Sequence, residues 1–126
     1  MRTGKQLKKL LIMNMTKRIK AFFILMKADR ELRRVIKQAD RLYLKNGRRY
    51  YVLPNLRHEL HAYCWADIKR MRRAGMFSNR ATQRDFLFES FYHTPGQFGE
   101  GALTPQRRKQ KRNAWLNYVA QVRCLI

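Results

Sequence analysis

The chain has 126 residues, 45% of them hydrophobic, and carries 29 Lys and Arg against 8 Asp and Glu, a formal net charge of +21. That length and apolar content suit one domain whose core removes roughly two thirds of the unfolded surface from water, which excludes a wholly disordered chain. An excess of this size opposes compaction by self-repulsion and is relieved by a polyanion: nucleic acid first, then an anionic membrane surface, then an acidic protein.

Residues 1–28 contain no acid. Their apolar run Ala21–Met26 is far shorter than the about twenty residues of a transmembrane helix, and shorter than the about seven to fifteen of a secretory apolar region. A membrane is therefore the less favoured partner. Leu7, Leu11, Met15, Ile19, Phe22, Phe23 and Met26 recur at three- and four-residue steps, which predicts a helix with its apolar stripe packed on a core. Lys8, Lys9, Lys17, Arg18 and Lys20 lie between them and are free to face a partner. Met13 and Met15 are alternative starts and Thr16 suits a helix opening, so residues 1–15 read as a basic extension ahead of a core over 16–94.

Asp29 suits the cap of a second helix, because a carboxylate there accepts backbone N–H groups and faces the positive helix end. Leu32, Val35, Ile36, Ala39, Leu42 and Tyr43 form its apolar face. Arg30, Arg33, Arg34, Lys37 and Arg41 stand about one turn apart and make a ridge, with Glu31 and Asp40 each able to pair with part of it. Asn46–Gly47 is the strongest turn signal in the chain; it either ends this helix, with Gly47 as the cap, or turns a hairpin. Arg49–Leu53 is rich in strand-forming residues and is stopped by Pro54.

The stretch "PNLRHELHAYCWADIKR" reads two ways. As a strand, Leu56, His58, Leu60 and Ala62 share one face. As a helix, Asn55 is the cap, and Leu56, Leu60, Cys64, Ile68 and Met71 make a stripe that ends at Gly75. Either way residues 66–74 are helical, with Lys69, Arg70, Arg72 and Arg73 as a dense basic cluster. A short helix can open near Asn79. Residues 85–92 alternate with apolar side chains on both sides, as in a buried strand. Residues 95–103, with three glycines and a proline, read as a linker. Thr104–Pro105 is a strong helix start, so residues 104–126 form a C-terminal helix. It is basic through Arg107, Arg108, Lys109, Lys111 and Arg112, then apolar from Trp115 to pack on the core.

Catalytic and metal patterns are weak. His58 and His61 are three apart, whereas a zincin helix needs two His four apart so that both face one metal. Cys64 has histidines near it in sequence, but no second cluster supplies a fourth metal ligand. Cys64 and Cys124 read as reduced thiols, which suits a cytoplasmic, virion or nucleoprotein setting. Glu59, His61 and Asp67 are the sole acid and His set from which a nuclease centre can be assembled. No cofactor or metal is expected, nor is an enzyme. Aromatic rings beside cations, at Arg48, Arg49, Tyr50 and Tyr51 and at Trp65, suit stacking on unpaired bases.

The expected fold is a small, helix-rich α+β domain with basic amphipathic terminal helices and a short central β-hairpin or small antiparallel sheet. The expected function is non-catalytic nucleic-acid binding through phosphates. Its contacts are Arg30, Arg33, Arg34, Lys37, Arg41, Arg48, Arg49, the Lys69–Arg73 cluster and the Arg107–Arg112 run. The alternative is an interaction protein, such as a virion component or an inhibitor, that binds an acidic protein surface. Short, highly basic chains of this kind are common among phage and mobile-element proteins, an association of composition alone. Spare apolar surface on the terminal helices is compatible with a dimer.

Overall fold

No proline and, after Gly4, no glycine interrupts the chain before Gly47, and the residues between are mostly good helix formers. The computed structural model of the protein, which describes residues 4–78 and 80–124 with side-chain surroundings from residue 15 onward, accordingly shows one helix, α1 (Gly4–Asn46), of 43 residues. Asp29 therefore lies inside a helix and does not cap one. Its carboxylate accepts instead from Arg33 at 2.5 Å and from Arg112 at 2.7 Å. The helix ends at Asn46–Gly47 as a cap, not a hairpin. Gly47 adopts φ +72°, a left-handed geometry that suits glycine, and its N–H donates to the Tyr43 carbonyl at 2.7 Å.

Strands β1 (Tyr50–Pro54), β2 (Leu60–Cys64) and β3 (Tyr92–His93) form one antiparallel sheet in the order β2-β1-β3. Register is set by Tyr50 opposite Cys64, Val52 opposite both Ala62 and Tyr92, and Pro54 opposite Leu60. The strand reading of residues 60–64 thus prevails over the helical one, because β1 needs a partner for its ladder groups. Asn55 closes the turn: its Oδ1 accepts from the N–H groups of Arg57 and Glu59, and His58 takes φ +62°. Helices α2 (Trp65–Arg73), α3 (Gln83–Glu89) and α4 (Pro105–Arg123) complete the α+β domain.

β1 is central and buried on both faces. On one face Tyr50, Val52, Leu60, Cys64 and Tyr92 pack against Ala28, Leu32, Val35 and Ala39 of α1 and Trp115 and Val119 of α4. On the other, Tyr51 and Leu53 pack against Ile68 of α2 and Phe86 of α3. The predicted strand over residues 85–92 is instead a helix with a two-residue strand after it. Thr82 Oγ1 accepts from the Asp85 N–H while Asp85 accepts from the Thr82 N–H, a capping box that starts α3. The short helix expected to open near Asn79 begins instead at Gln83; Asn79 itself lies outside the described residues.

α4 begins where Thr104 and Pro105 predict: Thr104 Oγ1 accepts from the Arg107 N–H. Segment 95–103 is clasped to the sheet. Arg49 donates to the carbonyls of Thr94 at 3.2 Å and Glu100 at 2.7 Å, and the Gly96 N–H donates to the Glu100 carbonyl. Among the described residues, no helix is long and apolar enough to cross a membrane.

The Asp29 bridge ties α1 to α4 from a buried position, and the Arg112 hydrogen bond to its carboxyl holds its pKa below 3.8. A depressed carboxyl pKa stabilises the fold fully above the unfolded value, and that share is lost as pH falls through the folded value. Asp29→Asn is therefore expected to lower stability by about 2 kcal/mol at pH 7, with the gap from wild type closing below about pH 4. Urea denaturation at both pH values measures it, and a gap unchanged at low pH refutes the assignment.

Candidate nucleic-acid interface

α1 holds three acids, Asp29, Glu31 and Asp40; Glu31 and Asp40 do not pair with the ridge as the sequence suggests, and Asp29 reaches only Arg33 on its flank. Asp29 faces α4. Glu31 accepts from the Leu60 N–H at 3.2 Å and pairs with Arg123 at 3.2 Å. Asp40 accepts from the Tyr92 hydroxyl at 2.5 Å, and burial with this contact raises the Tyr92 pKa. The acids are consumed by the core side of the helix. The opposite side keeps Lys27, Arg30, Arg34, Lys37, Arg41 and Lys45, all exposed and none in an ion pair among the described residues. At 1.5 Å per residue this ridge runs about 27 Å.

Lys27 and Lys45 extend the ridge beyond the residues identified from sequence. Their three- and four-residue steps from Arg30 and Arg41 were the available signal. Arg33 lies on the flank, largely exposed but paired with Asp29. A groove of about 400 Å³, bordered by Gln38 of α1, His61 and Tyr63 of β2 and Arg70 and Met71 of α2, leads from the ridge toward the α2 cluster. On the other flank, a cleft of about 240 Å³ joins Arg33 and Ile36 to Arg108, Lys109 and Arg112 of α4.

The remaining predicted cations divide into free and structural groups. Lys69, Arg73, Arg48, Arg107 and Lys109 are exposed. Arg70 is exposed but paired with Asp67. Arg108 lies over the Tyr92 ring at 5.4 Å. Arg49 clasps segment 95–103. Arg72 donates to the Ala81 carbonyl at 2.5 Å and covers the Trp65 ring at 5.1 Å. Arg112 is engaged with Asp29. Lys111 donates to the carbonyls of Leu87, Phe88 and Ser90 at 2.8, 3.0 and 2.5 Å, and so caps the C-terminal end of α3. Burial, then the nearby Arg107 charge, pushes its pKa down to about 8. Arg49, Arg72, Lys111 and Arg112 are thus corrected from phosphate contacts to structural cations. Their neighbours lie 9 to 83 residues away in sequence, which no local pattern reveals.

The expected stacking rings shift as well. Tyr50 and Tyr51 are both buried, and Trp65 is half-buried under Arg72. The exposed rings are Phe22, Phe23, Phe88 and Phe98. Phe22 and Phe23 belong to the N-terminal stripe, whose described part packs differently from expectation: Met15, Ile19, Phe22, Phe23 and Met26 are exposed, and among the described residues of α1 those packed on the core begin at Ile24. By helical geometry this stripe lies about one sixth of a turn from the ridge, on the outward side. The side chains of Leu7, Leu11, Lys8 and Lys9 lie outside the described residues.

The metal-like residues are dispersed. His58 Nδ1 sits 2.5 Å from the Tyr118 hydroxyl, and the Cys64 thiol donates to Asp67 at 3.2 Å. His61 and Asp67 border the same groove, with Asp67 already engaged by Cys64 and Arg70; Glu59 lies in the β1–β2 turn. Among the described residues, no group of three or more His, Cys, Asp or Glu side chains can hold a metal ion. No protein-family model, curated protein or solved structure matches the chain.

Proposed function

We propose that this protein binds nucleic acid without catalysis, laying the solvent face of α1 along phosphates with the α2 and α4 cations on its flanks. The observation that carries this reading is the turning-inward of Asp29, Glu31 and Asp40, which leaves the six exposed cations of the ridge from Lys27 to Lys45 without an ion pair among the described residues. Each phosphate neutralised releases counterions. About six contacts predict that log K for a duplex falls with log salt at a slope of roughly −5. Fluorescence anisotropy with a labelled duplex between low and moderate salt measures the slope. A flat response refutes phosphate binding.

A second reading is favoured by the exposed stripe Met15, Ile19, Phe22, Phe23 and Met26, which a phosphate backbone does not use. Set in an acid-free basic segment, it suits an acidic amphipathic helix of a partner protein. Little affinity for random DNA or RNA in the same titration favours this reading over the first.

A further inference from the structure

A cavity of about 600 Å³ opens between α3 and α4, with residues 101–104 along one side. That volume lies in the range of small-ligand pockets. Its cations are Arg49, Arg84, Arg107 and Lys111, against one acid, Glu89. Lys111 already gives hydrogen bonds to three carbonyls, so it acts on the cavity as a fixed charge. Leu87, Phe88 and Ala114 supply apolar wall.

Two features single this cavity out. Ser90 lines it, is 1% exposed, and its hydroxyl has no hydrogen-bond partner. A buried hydroxyl without a partner is costly and uncommon in native structures. Phe88 also lines it, yet its residue is 61% exposed, and the Arg84 guanidinium lies over the ring at 6.0 Å. An open aromatic face with a guanidinium beside it is the surface on which an unpaired base stacks.

We propose that this cavity receives one unpaired nucleotide, its base against Phe88 and Arg84 and its phosphate toward Arg107. The proposal rests on the nucleic-acid reading above and deepens it, because a base inside a duplex cannot enter. The protein then binds duplex phosphates through α1 and prefers substrates that also carry a single-stranded end. Arg107 lies both in the cavity and at the start of the α4 basic run, so a strand leaving the cavity meets Arg108 and Lys109 next.

The test compares a blunt duplex with the same duplex carrying a short single-stranded overhang, by anisotropy at fixed salt. Wild type is expected to bind the overhang substrate about tenfold more tightly. Phe88→Ala removes that preference and leaves blunt-duplex affinity unchanged; Phe88→Tyr, which keeps the ring, retains it. Ala114→Trp, which fills the cavity, also removes it, and circular dichroism checks that each variant folds. If wild type shows no overhang preference, or if Phe88→Ala keeps it, while both substrates still show the steep salt slope, the cavity assignment is overturned and the phosphate reading stands. If neither substrate binds, the phosphate reading falls, and this one with it.

Discussion

Changing Arg30, Arg34, Lys37 and Arg41 together to Gln is expected to lower duplex affinity by about three and a half orders of magnitude near 0.1 M salt. The same change should flatten the salt slope by about 3.6. The two numbers have one origin. Each cation on a phosphate releases roughly 0.9 of a counterion on B-form DNA, so each one removed takes about that much from the slope, and from log K at that salt. Gln keeps helix propensity close to that of Arg and Lys. The four positions are exposed and unpaired, so stability should stay within about 0.5 kcal/mol of wild type. A loss of affinity with an unchanged slope would mean that the ridge acts through something other than phosphate.

Equal charge removal elsewhere gives a different outcome. Arg49, Arg72, Lys111 and Arg112 are cations of the same kind, but each is bonded to a carbonyl or carboxylate of another part of the fold. Neutralising them weakens the fold before it weakens binding. Total charge is therefore a poor guide to which cations are free; the arrangement of the few acids and carbonyls decides it.

Local signals in the sequence carried the elements that local chemistry controls. Thr104–Pro105 opens α4, Gly47 ends α1, and Tyr50–Leu53 is a strand. They failed where two patterns competed. Phe86, Leu87 and Phe88 sit in an alternating run that reads as a strand, yet the Thr82–Asp85 capping box starts a helix there. Asp29 has the chemistry of a cap, but no breaker precedes it, and its carboxylate finds Arg112 at 83 residues' separation. The ridge at Arg30, Arg34, Lys37 and Arg41 was legible from helical spacing alone. That Glu31 and Asp40 turn away from it was not, because their partners Arg123, Leu60 and Tyr92 come from α4, β2 and β3. Nor could spacing show that Met15, Ile19, Phe22, Phe23 and Met26 stay in solvent.

Trp115→Ala is expected to cost about 4 kcal/mol, a large part of the roughly 5–15 kcal/mol that holds a domain of this size. Trp115 is fully buried where α4 crosses α1. Its ring meets Phe91 at 5.1 Å and Tyr118 at 5.6 Å, the Arg123 guanidinium lies 5.3 Å from its centre, and its indole N–H donates to the Ala28 carbonyl at 2.9 Å. Ala28 and Ala39 are themselves fully buried; small residues there let the helices approach, so the seam depends on the indole to fill it. Trp115→Phe keeps most of the packing and loses the donor, and should cost only about 1–2 kcal/mol. Urea denaturation followed by Trp65 fluorescence measures both, since Trp65 packs in the other cluster, around Phe86. The ridge lies on the far side of α1 from this seam. Under conditions where Trp115→Ala remains folded, its duplex affinity and salt slope should therefore match wild type. A variant that stays folded yet loses the slope would show that the seam sets the ridge as well as the fold; a cost below about 1 kcal/mol would show that α4 does not depend on this contact to dock on α1.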